Sequence, residues 1–249
     1  MTYAVSIDAA RNFVRVATPA HVVAPPPLAW VPPAVPQTTW YVQGYFAPTN
    51  IVRGPGAFYY ALARMVPDPL SPRSPNYSWK ETCVIRTGSL DDPASWRAWD
   101  GSGFDLGMTS PYVTGGAATP CRVLETDLAS GHMVYNTYLE RYLHVSQYVK
   151  QIEGREVCGI YFALSADLIH WSEPRLLAEA KTGLCEDFPL TPGMLEPVVV
   201  GYSSIIDHAD TTANFERAGR TPYLYYTRYM EEPLGMDVVR VPLTFTRTD

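Results

Sequence analysis

Apolar and polar positions along the chain fall into alternating aromatic and β-branched runs broken by polar clusters, and three aromatic runs stand out: YYALARM from Tyr59, YLHVSQY from Tyr142 and YLYYTRY from Tyr223. They lie 83 and 81 residues apart. Each carries a long polar side chain five positions after its first tyrosine, at Arg64, Gln147 and Arg228. Such runs, bounded by Pro, Gly, Asp and Ser clusters, predict β-strands joined by turns. No helical period persists beyond about three turns, so the pattern predicts an all-β chain.

A second pattern repeats beside the first. CVIRTGSLDDPASW (Cys83 to Trp96) and CGIYFALSADLIHW (Cys158 to Trp171) lie 75 residues apart. In both, an aspartate (Asp92, Asp167) follows the cysteine by nine residues and a tryptophan follows it by thirteen. Ser6, Asp8 and Phe13 carry the same theme, with one extra residue in the turn. An aspartate at a turn accepts local backbone N–H groups, and a tryptophan beyond it caps the sheet. Asp92 and Asp167 therefore read as turn formers rather than catalytic groups.

Repeats decide architecture. Each unit reads as strand, strand, Asp-turn-aromatic strand and a long connection, and the 23 prolines cluster in the connections. Counting gives a partial unit (about 1–36) and three fuller ones (about 37–110, 111–190 and 191–249). Antiparallel units of this kind are blades of a β-propeller. The expected fold is a single partial propeller domain over 1–249, holding about three and a half blades.

Composition narrows the partners. A net charge of -6, from 25 acidic and 19 basic residues without a basic cluster, argues against nucleic acid. No 18-residue apolar run is present to span a membrane as a helix. The first residues, MTYAVSIDAARNFVRV, lack the basic and apolar regions of a signal peptide and read as the middle of a folded unit. An extracellular or periplasmic location is expected if upstream sequence is missing.

Cys83 and Cys158 hold one position in successive units. A sheet-to-sheet step of about 10 Å is beyond disulfide reach, so both are expected as buried thiols. Cys121 and Cys185 fall in connections and can pair with each other. No C-x-x-C motif supports a structural zinc site, and the five histidines have no short ligand spacing. The run Asp207, His208, Asp210 reads as a solvated loop. GPGAF (Gly54 to Phe58) reads as a hairpin rather than a phosphate loop, and no G-x-S-x-G elbow occurs. Neither a metal nor a cofactor is expected.

The segments SADLIHWSEPRLL (Ser165 to Leu177), SLDDPASWRAWDG (Ser89 to Gly101) and APTNIVRGPGAFYYALARM (Ala47 to Met65) resemble blade segments of the five-bladed propeller glycosidases. That group includes the glycoside hydrolases of families 43, 62 and 32 and uncharacterised relatives. The resemblance implies a funnel at the propeller axis, with three carboxylates on the innermost strands of the first three blades. It also implies that this chain supplies the C-terminal blades, so the base or nucleophile of the first blade lies outside it.

Glycoside hydrolysis needs one protonated and one ionised carboxyl group across the scissile bond. Glu196 precedes an apolar run that reads as an inner strand, and its Glu-Pro pair resembles the acid-bearing segment of family 43. Asp207, at the far end of that run, is a second catalytic candidate, with strand capping as the competing role. Glu81 and Glu125 are weaker. Asn50, Asn136 and Ser203 precede the aromatic strands, where neutral amides and hydroxyls suit sugar hydroxyls and also suit turns. Arg64 and Arg228 complete the substrate-binding candidates.

The expected function is a carbohydrate-active, glycoside hydrolase-like propeller whose catalytic carboxylates lie largely outside this chain. Carbohydrate is the expected partner. A non-catalytic glycan-binding or scaffolding propeller, or a fragment without activity of its own, remains an alternative.

Overall fold

A computed structural model describes residues 1–26, 29, 44–66, 82–110, 112, 119–126, 128, 131–185, 199–212, 214–230 and 235–247. The described chain is nearly all β, in curled antiparallel sheets. It divides into two compact units, Met1–Pro48 with Arg53–Leu124, and Thr49–Val52 with Glu125–Asp249.

In the first unit, β1 (Ala4–Val5) and β2 (Val14–Arg15) form a short antiparallel hairpin. The chain passes between the units within β4 (Val52–Arg53). The main sheet runs β3 (Gly44–Phe46), β5 (Tyr59–Val66), β6 (Thr82–Thr87), β7 (Arg97–Ala98) and β8 (Leu106–Gly107), each antiparallel to the next. Tyr60 through Arg64 and Thr82 through Ile85 are all buried, so both faces of the two middle strands are covered. That is why alternation fades here: two-sided burial demands near-continuous small and apolar residues.

In the second unit, β9 (His132–Asn136), β10 (Arg141–Ile152), β11 (Arg155–Ser165) and β12 (Arg175–Glu179) form an antiparallel meander. The β10–β11 hairpin turns on two residues, Glu153 and Gly154, both with positive φ (52° and 77°). This matches the right-handed twist of the strands and explains a glycine at the second position. Gly159 is fixed by close approach instead: a Cβ there would run into the Ala178 carbonyl oxygen of β12.

A further sheet of this unit holds β13 (Val199–Ile206), β15 (Tyr223–Met230) and β16 (Gly235–Pro242). Between β13 and β15, β14 (Arg217–Ala218) pairs parallel to β9. Val134, Leu143, Val145 and Ile160 of the meander pack against Val200, Ile205 and Leu224 of the other sheet, with Ala218 and Phe245 completing the core. The register of β13 shifts between Gly201 and Ser204. The bulge resets the period of two, so Val200 and Ile205, five positions apart, both reach the core.

The aspartate turns behave as structural devices. Asp167 Oδ1 accepts the N–H groups of Ile169 (2.9 Å) and His170 (2.8 Å), and Ser165 Oγ donates to it at 3.1 Å. Ser6 Oγ donates to Asp8 Oδ1 at 2.8 Å, and Asn12 N–H donates to the same oxygen at 2.9 Å. Asp92 Oδ1 accepts the N–H of Ala94 at 3.0 Å. Multiple N–H donors favour the ionised form, and the Asp8 and Asp167 carboxyls lie at about 2.

The expectation for the cysteines is corrected. Cys83 bonds to Cys121 and Cys158 to Cys185, with Cα atoms 6.1 and 5.9 Å apart. Cys83 and Cys158 are not thiols, and Cys121 and Cys185 do not pair with each other. In both units the segment after the meander returns across the strand that carries the first cysteine. Leu124 N–H donates to Thr82 O at 2.8 Å in one, and Ala180 N–H donates to Cys158 O at 3.2 Å in the other. Each connection therefore meets its own sheet.

Candidate functional site

Arg64, Gln147 and Arg228 lie on β5, β10 and β15, each an interior strand of its sheet, but their surroundings differ. Arg64 is buried in the first unit with its guanidinium over the Phe46 ring, 5.1 Å from the centre. Arg228 is half exposed and donates through Nε (3.0 Å) and Nη2 (2.5 Å) to the Asp237 carboxylate opposite it in the ladder. That pair raises Arg228 and lowers Asp237 from their usual pKa ranges, the hydrogen bonds being the larger cause.

The two asparagines are engaged within the second unit. Asn50 Oδ1 accepts Met133 N–H at 2.8 Å while its Nδ2 donates to Met133 O at 2.9 Å, so the side chain imitates a strand partner for β9. Asn136 is fully buried; its Nδ2 donates to Gly219 O (2.9 Å) and its Oδ1 accepts Tyr138 and Leu139 N–H. It shapes the β9–β10 turn and holds the β14 segment. Replacing Asn136 by Ala leaves these backbone groups unmatched and is expected to cost about 2–3 kcal/mol, read from urea denaturation at pH 7.5.

Asp207 caps the end of β13: Oδ1 accepts Ala209 N–H at 2.9 Å and Oδ2 accepts Gly219 N–H at 2.7 Å. Both oxygens are thus occupied by backbone donors. Ser203 lies in the β13 bulge with its hydroxyl buried and without a hydrogen bond among the described residues. Glu125 is exposed. Glu196 and Glu81 lie outside the described residues.

A surface that the strand pattern contained, but that was not singled out, lies on the β13–β15–β16 sheet. Cross-strand partners share a face, and Tyr225, Thr227 and Tyr229 pair with Arg240, Val238 and Met236. The opposite face, through Leu224 and Tyr226, meets the core. The first face is open: Tyr202 is 75% exposed, Val238 71% and Met236 65%. Tyr202 projects because the bulge holds it at φ 50°. It is hydrogen-bonded to Tyr229, whose phenol is raised above its usual range by desolvation first and by that bond second. At the other end of the strand, His208 stacks on Tyr223 with ring centres 4.5 Å apart, and its Nε2 lies 2.8 Å from the Tyr225 hydroxyl. The signal was the spacing of Tyr223, Tyr225 and Tyr229 at odd positions, opposite in parity to the core residue Leu224.

Flat rings with hydroxyl handles, standing on a rigid sheet, can stack on the C–H face of a sugar and exchange hydrogen bonds with its hydroxyls. Among the described residues no group of three or more His, Cys, Asp or Glu is placed to hold a metal. Fold and face together define an all-β protein of curled antiparallel sheets with a tyrosine-rich open surface. No protein-family model matches the chain, and no curated protein matches it in sequence.

Proposed function

We propose that this chain is a carbohydrate-active β-propeller protein of the five-bladed glycosidase kind, and that it engages sugar on the tyrosine face of the β13–β15–β16 sheet. The observation that carries the reading is that open face, with Tyr202 and Tyr229 hydrogen-bonded at one end and Tyr223 stacked with His208 at the other. The meander sheets and the aspartate turn after the third strand of each support the propeller part of it. In this reading Glu196 is the carboxylate left to serve as general acid, because Asp207 is committed to Ala209 and Gly219.

A glycan array followed by calorimetric titration tests the proposal. Oligosaccharide binding is expected, weakened at least tenfold by Tyr202→Ala with Tyr229→Ala; binding to no glycan, or binding unaffected by that pair, would refute it. Turnover of nitrophenyl glycosides that disappears in Glu196→Gln while binding persists identifies a hydrolase. Binding without turnover in the wild type identifies a glycan-binding propeller, which the backbone commitment of Asp207 favours.

A further inference from the structure

In the first unit, Arg86 of β6 pairs across the ladder with Arg97 of β7 on one side and with Tyr60 of β5 on the other. Directly opposed residues share a face, so two cationic side chains leave the same side of the sheet at neighbouring positions. Like charges so placed are destabilising. Neither forms an ion pair with another described residue.

Arg86 is held by rings instead. Its Cζ lies 4.2 Å from the centre of the Phe58 ring and 4.1 Å from that of Phe104. Phe104 is buried and braced by Tyr60 (5.7 Å, 84°) and Trp99 (5.2 Å, 56°). Arg86 Nη1 donates to the Tyr60 hydroxyl at 3.3 Å, and that hydroxyl donates to Pro55 O at 3.2 Å. Arg97 Nη1 donates to the carbonyls of Ala94 (2.7 Å) and Trp96 (2.9 Å). The cations are therefore positioned by neutral groups, and Nε and Nη2 of Arg86 make no hydrogen bond among the described residues.

We propose that Arg86, assisted by Arg97, binds the carboxylate of a small organic or sugar acid. Rings flanking a guanidinium leave its in-plane edge for a ligand, and the Nε–Nη2 edge is the fork that takes a carboxylate bidentately. A carboxylate presents two coplanar oxygens to that fork. A tetrahedral phosphate or sulfate carries oxygens outside the guanidinium plane. The site belongs to a different unit from the tyrosine face and does not rest on the glycan reading.

Calorimetric titration of the full chain at low salt with acetate, D-glucuronate, D-glucose and inorganic phosphate tests it. Acetate and glucuronate are expected to bind, and glucose is not. Glucuronate at least tenfold tighter than acetate assigns a sugar acid; equal affinities assign a free organic acid. Arg86→Met is expected to weaken acetate and glucuronate at least tenfold, Arg86→Lys nearly as much because it keeps charge without the fork, and Arg97→Gln severalfold. Thermal melts establish that each variant is folded, and Arg97→Gln carries the test if Arg86→Met does not fold. Phosphate as tight as acetate, or glucuronate binding unchanged in the folded variants, overturns the assignment.

Discussion

Exchanging Cys83 and Cys121 together for alanine lowers stability by about 4 kcal/mol, and exchanging Cys158 and Cys185 does so by about 3–4 kcal/mol. The cross-links span sequence separations of 38 and 27 residues, so each removes much loop freedom from the unfolded chain. Each also ties a connection to the strand that carries its first cysteine. Urea denaturation of the oxidised protein against each double variant, and against the protein in dithiothreitol, measures the effect. Unchanged midpoints would contradict it. Both bridges suit an oxidising compartment.

Acidification from pH 6.5 to 5 costs a comparable amount, through two histidines of the second unit. His144 is fully buried on β10, edge-on to Trp171 at 5.6 Å, and neither ring nitrogen has a hydrogen-bond partner among the described residues. Burial pushes it down to about 3, with a smaller contribution from the charge of His132. His132, whose Nδ1 accepts Ile205 N–H at 3.4 Å, is pushed by burial to about 4.

Above pH 6.5 both histidines are neutral whether folded or unfolded, so they add no pH dependence there. Below it the unfolded chain takes up protons that the folded chain refuses, and stability falls until the folded values are reached. At pH 5 the loss is about 2 kcal/mol for each histidine. Asp8 and Asp167 do not interfere, because their stabilisation is present above 3.8 and lost only as pH falls toward about 2. His170, raised by its bond to half-buried Asp167, works in the opposite direction but is itself exposed. Urea midpoints at pH 7, 6 and 5 should fall in the wild type and fall about half as steeply in His144→Leu. An identical slope in the variant would rule the histidine out.

The strands were legible because aromatic and β-branched runs mark them and the same turn chemistry closes them, even in β5 and β6, where burial on both faces removes the alternation. Asp92 and Asp167 sit in the turns their spacing implied, and the Ser6–Asp8 theme recurs with the same bonds. The cysteine pairing was not legible. Spacing measures distance along the chain, whereas the bridges depend on how the connection after each meander folds back over its own sheet. The site was harder still. Asn50 and Asn136 have the chemistry of sugar ligands, yet a primary amide satisfies a backbone N–H and C=O equally well, and only the fold shows which task it performs. The tyrosines of β15 were visible as a strand, but which of its faces meets the core depends on the β13 bulge.

The β10–β11 hairpin has a kinetic consequence. Closing its two-residue turn brings Ile152 to Arg155, and every later pair out to Tyr142 and Ser165 adds without another loop to close. The entropic barrier is met once, within a short stretch of sequence, so this ladder can zip on the microsecond scale of hairpins. Cys158, opposite Val149 in that ladder, is then held in place before Cys185 must find it. Local zipping thereby guides the choice of partner during oxidation, when four thiols compete.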